Sequence, residues 1–113
     1  MTANGYANAH VFALQRMQLK RILWHMLGGT RGGPTRIRIL TALIDAPQNA
    51  NQLAKDLGMD YKTIQHHLRM MKKNRLVDTY GAGEYGATYF PSAELEQSMP
   101  EFEIIRAKME AKP

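Results

Sequence analysis

The sequence contains no cysteine among its 113 residues. This absence excludes disulfide bonds, thiolate metal sites and catalysis by a thiol. No run of about 18 apolar residues occurs either, since even Ile22 to Leu27 is flanked by Lys20, Arg21 and Gly28, so a membrane-spanning helix is excluded. The N-terminal stretch MTANGYANAH lacks the basic start and the cleavage pattern of a secretory signal. We therefore expect a cytoplasmic protein without a membrane partner.

Residue combinations typical of a catalytic site are also missing. No nucleophile has a base at a suitable spacing, and no pair of acids lies in a cleft-forming context, so we predict neither enzymatic activity nor a cofactor. The glycine-rich segment from Gly28 to Gly33 is a weak match to a phosphate-binding loop, because no strand precedes it and no Gly-Lys-Ser/Thr follows it. We interpret this segment as a flexible break that interrupts helical structure.

Histidine residues do not form a metal-binding pattern. His66 and His67 are neighbours, and adjacent side chains on a helix point about 100° apart, so both cannot easily bind one ion. No metal site is predicted. We expect His67 to be a half-buried residue that packs and forms hydrogen bonds. Eight Met residues could line an effector pocket, although core and dimer packing explains them equally well.

Acidic residues are scarce in the first two thirds of the chain. Residues 1–75 hold 12 Lys/Arg and only 3 Asp/Glu, a net +9, whereas residues 76–113 hold 3 and 7, a net −4. Such a basic region indicates a polyanionic partner, because Lys and Arg that neutralise phosphates displace condensed counterions. When charge is considered alone, a solvated surface on a basic protein explains it as well.

Residues 51–77 have the pattern of a helix-turn-helix followed by a strand. Leu53, Ala54 and Leu57 share one face of a short first helix, and Gly58 follows where the helix end needs a residue that tolerates positive φ. Asp60 is placed to cap a second helix by accepting a backbone N–H from its first turn, that of Lys62 or Thr63.

The second helix has one apolar and one polar side. Ile64, Leu68 and Met71 recur at i, i+4 and i+7 and are predicted to point inward. The residues predicted to contact DNA bases or phosphates on the other side are Lys62, Thr63, Gln65, His66, Arg69, Lys72 and Lys73. Glutamine can bond adenine with both ends of its amide, and arginine can reach guanine or a phosphate. The alternative is an exposed polar face that does not contact DNA.

The run LAKDLGMDYKTIQHHLRMMKKNRLV resembles the DNA-reading segment of ArsR-type winged-helix repressors. That family has a Leu-Ala-x-x-Leu-Gly helix, a Ser/Thr-rich turn, an x-His-Leu-x-x-Leu recognition helix and a Gly-Leu-Val exit. The matching residues are Leu53-Ala54, Leu57-Gly58, His67-Leu68, Met71 and Leu76-Val77. The resemblance covers roughly residues 34 to 91 and implies a winged helix-turn-helix that binds DNA.

The sequence departs from the family pattern in two respects. Arg75 stands where the family usually has a helix-ending glycine, which makes Asn74 the predicted left-handed residue. The cysteines that the metal-sensing branch of the family uses are absent, so the resemblance says almost nothing about a signal.

A β-hairpin wing is predicted after the second helix. Residues 76–80 and 87–90 are rich in β-formers, and three glycines lie between them. The tip carries Glu84 and no Lys or Arg, so it offers little attraction to a narrow minor groove. We expect the wing to be structural or to make a weak contact with the DNA backbone. Tyr85 is the only wing residue that we expect to contact bases.

Three further helices are predicted around this motif. Residues 6–27 form an N-terminal helix whose apolar arc is wider than one small domain needs, so it is interpreted as a dimerisation helix. An ordinary first helix of a monomer is the alternative. Pro34 opens a helix through Asp45, from which Arg36 and Arg38 could touch the phosphate backbone. Residues 98–111 form a last helix, opened by a capping box from Ser98 to Glu101, that would pair with the N-terminal helix of the same chain or of its partner.

Together these patterns predict one winged-helix domain over residues 1–113, with its core at 34–91. Its class is mainly α with a small β-hairpin wing, α+β, plus added N- and C-terminal helices. We predict a homodimeric transcriptional regulator that binds double-stranded DNA sequence-specifically, with residues 61–74 in the major groove. A protein-interaction module of the transcription machinery is the alternative. The operator, the direction of regulation and an effector stay open. The predicted dimer interface consists of Val11, Leu14, Met17, Trp24, Phe102, Ile105 and Met109; Arg36 completes the predicted DNA contacts.

Overall fold

A computed structural model describes residues 2–81 and 86–111 of the chain, with the side chains of residues 2–8 excepted. The helices are α1 (Thr2–Leu23), continued by a π-helical turn (Trp24–Gly28), α2 (Gly33–Asp45), α3 (Ala50–Leu57), α4 (Tyr61–Lys73), α5 (Ala93–Gln97) and α6 (Met99–Glu110). The strands are β1 (Gln48–Asn49), β2 (Val77–Tyr80) and β3 (Thr88–Pro91). None of the helices in these residues is long and apolar enough to cross a membrane. The predicted class, mainly α with a small wing, is confirmed.

The core lies where the helices meet. Leu23 of α1, Leu40 of α2, Leu53 of α3, Leu68 of α4 and Phe102 of α6 are each 0% exposed. Burying one such side chain contributes roughly 1.5–3 kcal/mol. Every one of these helices is therefore attached to the same apolar cluster, and α6 belongs to the core of its own chain.

Local interactions fix both ends of α3 and the start of α4. The Asn49 side chain accepts a hydrogen bond from the Gln52 backbone N–H (2.8 Å), while the Gln52 side chain accepts one from the Asn49 N–H (2.9 Å). This capping box starts α3. Gly58 ends α3 at φ +63°, and the Asp60 carboxylate accepts from the Thr63 N–H at 3.2 Å to start α4. The predictions for Gly58 and Asp60 are confirmed.

The prediction that Asn74 is left-handed is wrong. Arg75 has φ +64°, whereas Asn74 has φ −96°. The Leu76 N–H donates to the Met71 carbonyl (2.8 Å) and the Arg75 N–H to the Lys72 carbonyl (3.1 Å), the pattern of a Schellman motif. That pattern requires the left-handed residue directly before the buried Leu76, and the Asn74 side chain instead donates to the Met70 carbonyl.

The predicted hairpin is confirmed, and a third strand joins it. β2 and β3 pair antiparallel with Val77 opposite Pro91 and Tyr80 opposite Thr88. β1 pairs with the other edge of β3, so the strand order is β1-β3-β2. β1 is only two residues long and too short for a periodic pattern. The predicted wing tip, including Glu84 and Tyr85, lies outside the described residues.

The C-terminal segment contains two helices where one was predicted. Ser92 caps α5 by accepting a hydrogen bond from the Leu95 N–H (3.0 Å). Ser98 ends α5, and its side chain makes no capping hydrogen bond to α6. The predicted capping box at Ser98 is therefore wrong, because the end of α5 holds Ser98 at φ −110°, ψ 20° rather than in the extended conformation of a capping residue.

The ends of α3 and α4 generate a paired stability prediction. Arg75→Gly is expected to raise the free energy of unfolding by about 1 kcal/mol, because glycine adopts positive φ without a steric penalty. Gly58→Ala should lower it by about 1 kcal/mol. No atom lies within 4 Å of a Cβ built at Gly58, so this effect is purely conformational. Urea denaturation measures both, and changes of the same sign would contradict the assignment.

Candidate nucleic-acid interface

Helix α4 is attached to the core by one side only. Ile64, Leu68 and Met71 are each 0% exposed, as predicted from their spacing. They pack with the buried side of α3, which carries Leu53 and Ala54. Because this stripe fixes the rotation of α4 about its axis, the opposite side of the helix is held away from the core.

The side of α4 that points outward is cationic. Along Tyr61–Lys73 the helix carries four Lys or Arg and no Asp or Glu. Gln65 is half-buried and the other members are exposed. We call this surface the cationic face, and it consists of Lys62, Thr63, Gln65, His66, Arg69, Lys72 and Lys73.

Two hydrogen bonds order side chains of the cationic face. Gln65 Nε2 donates to the hydroxyl of Tyr61 (2.9 Å), one turn earlier on the same side. Lys72 Nζ donates to Thr79 Oγ1 of β2 (2.9 Å) and so lies against the wing. Tyr61, 44% exposed, was not among the predicted site residues. The only signal for it in the sequence is an aromatic residue at the start of a polar helix face.

Arg36 does not lie on this surface, and its predicted contact with the DNA backbone is wrong. Arg36 is buried, with only 5% of its surface exposed. Nε donates to the Met26 carbonyl (2.8 Å), Nη1 to His67 Nδ1 (3.2 Å), and Nη2 to Thr30 Oγ1. The spacing in the sequence indicates that Arg36 points inward. Arg36 precedes the buried Leu40 by four positions and therefore shares its side of α2. Arg38 is exposed and caps α3 through the Leu57 carbonyl (3.0 Å).

The glycine-rich segment forms a wall of the site around Arg36. A Cβ at Gly32 would lie 2.6 Å from Arg36 Nη1 and 3.0 Å from His67 Cε1. Only glycine allows this approach without a shift of the guanidinium. Gly33 begins α2 and Gly28 ends the π-helical turn, so the break between the helices is shorter than predicted.

Burial and the neighbouring positive charge favour the neutral form of His67. Burial lowers the pKa of His67, and the adjacent positive charge of Arg36, followed by His66, lowers it further. Burial also lowers the pKa of Arg36. Since a guanidinium only donates, Nδ1 of His67 accepts and its proton resides on Nε2. The predicted half-buried, hydrogen-bonded role of His67 is confirmed, and the residue joins α4 to Arg36 of α2 and, through Arg36, to the π-helical turn.

The apolar surface of α1 divides into a buried and an exposed part. Leu19, Leu23 and Met26 belong to the core. The residues of α1 that expose about half of their surface are Val11 (49%), Phe12 (59%), Leu14 (58%) and Met17 (56%). Phe12 lies on the same side as Leu19 but two turns earlier, where the helix extends beyond the core.

Several residues predicted at the subunit contact are used within the chain. Phe102 and Ile105 are 0% exposed, so their assignment to a dimer interface is wrong, because α6 packs on the core of its own chain. Trp24 is half-buried. Its indole N–H donates to Glu101 (2.7 Å), and Lys108 Nζ lies 5.3 Å from its ring. Met109 is half-buried and packs on the same cluster.

Side chains that could bind a metal ion do not converge in the described part of the chain. No group of three or more His, Asp or Glu residues there is placed to hold one.

Comparison with known families identifies the segment that carries this site. Residues 33–79 match the family model for bacterial regulatory proteins of the arsR family. They run from the start of α2 through the helix-turn-helix into β2. The matched segment of this chain is similar to the helix-turn-helix region of the arsR family. The match to this family of bacterial regulatory proteins confirms the ArsR-type resemblance predicted from the sequence.

Solved structures agree with the ArsR-type assignment. An ArsR-like transcriptional regulator from a Rhodococcus species is 27% identical, with 83% of this chain and 84% of that chain covered and a TM-score of 0.58. The homodimeric winged helix-turn-helix DNA-binding domain of a possible ArsR-family regulator from Mycobacterium bovis is 17% identical (88% and 83% covered, TM-score 0.61). A predicted DNA-binding transcriptional regulator from E. coli is 21% identical (99% and 100% covered, TM-score 0.56). The curated proteins include no match.

The Arg36–His67 contact generates a prediction about pH. Since the pKa of His67 is lowered in the folded state, its contribution to stability is present above about pH 6.5 and is lost as the pH falls through the folded-state value. The free energy of unfolding should therefore decline as the pH falls below about 6.5. His67→Gln keeps an acceptor for Arg36 but does not titrate, so it should flatten the decline.

The matched control is His66→Gln, a change at the exposed neighbour, which should retain the decline. Denaturant unfolding at a series of pH values gives the measurement. An unchanged slope in His67→Gln would contradict the role assigned to His67.

Proposed function

We propose that this ArsR-type chain is a homodimeric regulator that binds operator DNA sequence-specifically, with the cationic face of α4 in the major groove. The observation that carries the proposal is the exposure of this face on a helix whose other side is fully buried. An α-helix fits the major groove of B-DNA, and four cations without an intervening acid suit the phosphates on both sides.

Individual roles follow from position along α4. Gln65 and Arg69 lie in the middle of the helix and would contact base edges, where Gln suits adenine and Arg suits guanine. Lys62 and Thr63 lie at the N-terminal end, where backbone N–H groups and the helix dipole also favour a phosphate. His66 lies between Thr63 and Arg69 along the helix, on its exposed side. Lys72 and Lys73 would contact the backbone beside the wing.

Two copies of the chain would be joined through α1. The exposed apolar residues Val11, Leu14 and Met17 lie on the side of α1 that turns away from its own core. Exposed apolar clusters of this kind are typical of subunit contacts. The similar domain from Mycobacterium bovis is homodimeric. In a symmetric dimer the two α4 helices would enter major grooves about 34 Å apart on a palindromic site.

Substitutions on the cationic face test the DNA contact. Arg69→Ala and Gln65→Ala should each weaken binding to a duplex selected from a random pool by roughly 5- to 100-fold, the range for one base contact. Lys62→Ala should reduce the slope of log affinity against log salt by about 1. Fluorescence anisotropy measures both. The melting temperature should stay nearly unchanged, because these side chains are not in the core.

The charge-matched control is Arg106→Ala, which removes a half-buried cation of α6 that pairs with Glu103 and Glu110 and should leave DNA affinity unchanged. If neither this chain nor its variants bound DNA at about 50 mM salt, where phosphate contacts are strong, a protein-interaction module would be the better assignment. Equal effects of Arg106→Ala and Arg69→Ala would show that overall charge, and not the face, determines affinity.

The dimer has its own test. Leu14→Glu places a charge in the proposed contact and should convert the chain to a monomer at about 10 μM, because an unpaired buried charge is costly. Ile44→Glu is the matched control, since Ile44 is also exposed (40%) but lies on α2. Sedimentation equilibrium measures the mass. A wild-type chain that is already monomeric would remove the dimer from the proposal.

A further inference from the structure

A groove lies between α1 and α5, beside the residues that follow the C-terminal end of α4. Its volume is about 360 Å³, which is within the range of roughly 300–1,000 Å³ typical of small-molecule sites. Phe12, Leu19 and Ile22 of α1 supply apolar surface, and Arg16, Arg75 and Glu94 supply charge. The groove shares Phe12 with the exposed part of α1 but lies apart from the cationic face.

Positive charge in this groove is only partly balanced by the protein. Within residues 2–81 and 86–111, neither the Arg16 nor the Arg75 guanidinium has an ion pair or a hydrogen bond. Glu94 is the acid among the lining residues, so two cations and one anion leave a net positive charge. Two arginines beside an apolar surface suit a ligand that carries a negative group on an apolar body.

The groove is held in shape by Ser92, a residue only 1% exposed. Its hydroxyl donates to the Arg75 carbonyl (2.7 Å) and accepts from the Leu95 N–H at the start of α5 (3.0 Å). The backbone of Arg75 is also fixed by the Schellman motif at φ +64°. One buried side chain thus ties Arg75 to α5, and both walls are formed before any ligand arrives. A preformed site binds without a large ordering cost.

We propose that this groove binds a small amphipathic organic anion. The apolar body of the ligand lies against Phe12, Leu19 and Ile22, and its carboxylate or sulfonate is held by Arg16 and Arg75. Arg75 lies two residues after the end of α4, the helix proposed to bind DNA, so any effect of such a ligand on DNA affinity rests on the proposed function. Binding of the anion itself does not.

The test uses two fluorescent dyes with the same aromatic body. Anilinonaphthalene sulfonate is the anionic probe, and phenylnaphthylamine is its neutral counterpart. The anionic dye should saturate one site per chain. Arg16→Gln and Arg75→Asn should each weaken the anionic dye roughly 10-fold, the scale of one charge-assisted hydrogen bond, and leave the neutral dye unchanged. Asparagine tolerates the left-handed conformation at position 75, and urea unfolding confirms that each variant folds.

Arg21→Gln is the matched control, because Arg21 is an exposed arginine of α1 that does not line the groove; it should bind both dyes like the wild-type chain. The proposal is overturned by any of three results: no saturable binding of the anionic dye, equal losses for both dyes, or dye binding that disappears as the protein dimerises, which would mean that a second copy fills the groove.

DNA binding by Arg16→Gln in the absence of dye separates this proposal from the proposed function. Wild-type DNA affinity with weakened dye binding supports both. If the wild-type chain binds the dye as expected but binds no DNA, only the proposed function fails.

Discussion

Burial of one side of α4 is the constraint on which the rest of the structure depends. Ile64, Leu68 and Met71 are completely buried, and exposing any of them would cost roughly 1.5–3 kcal/mol. A rotation of the helix by one residue, about 100°, would replace this stripe by Gln65, Arg69 and Lys72, whose polar groups would have no partner inside the core. The cationic face therefore points outward because its opposite side has no alternative position.

A second constraint links this helix to the rest of the chain. Arg36 is a buried cation without an acidic partner among the described residues, and carbonyl, hydroxyl and imidazole acceptors satisfy it instead. Because those acceptors belong to Met26, Thr30 and His67, one guanidinium connects the end of the N-terminal helical segment, α2 and α4. Losing one acceptor would leave a buried charge less well solvated, which costs more than an average hydrogen bond contributes. This guanidinium therefore helps to hold α4 against the helical turn that continues α1.

The sequence predicts features that depend on local chemistry and periodicity. The stripe of α4, the turn at Gly58 and the cap at Asp60 all follow from spacing and residue type. Features that depend on tertiary context are not predicted. Arg75 is left-handed because the backbone of Leu76 must return to Met71, and Phe102 is buried within its own chain, which an apolar helix face cannot distinguish from a subunit contact. The charge of Arg36 indicates a contact with DNA, whereas its spacing from Leu40 places the side chain inside the protein.

The most direct test of the central claim is amide chemical-shift mapping by NMR on the isotope-labelled chain, titrated with a short random-sequence duplex at about 50 mM salt, where non-specific binding is strong. We expect the largest shifts on residues 61–73 and little change in the residues of α6. Large shifts on α6 or α2 with an unperturbed α4 would contradict the claim that the cationic face binds DNA.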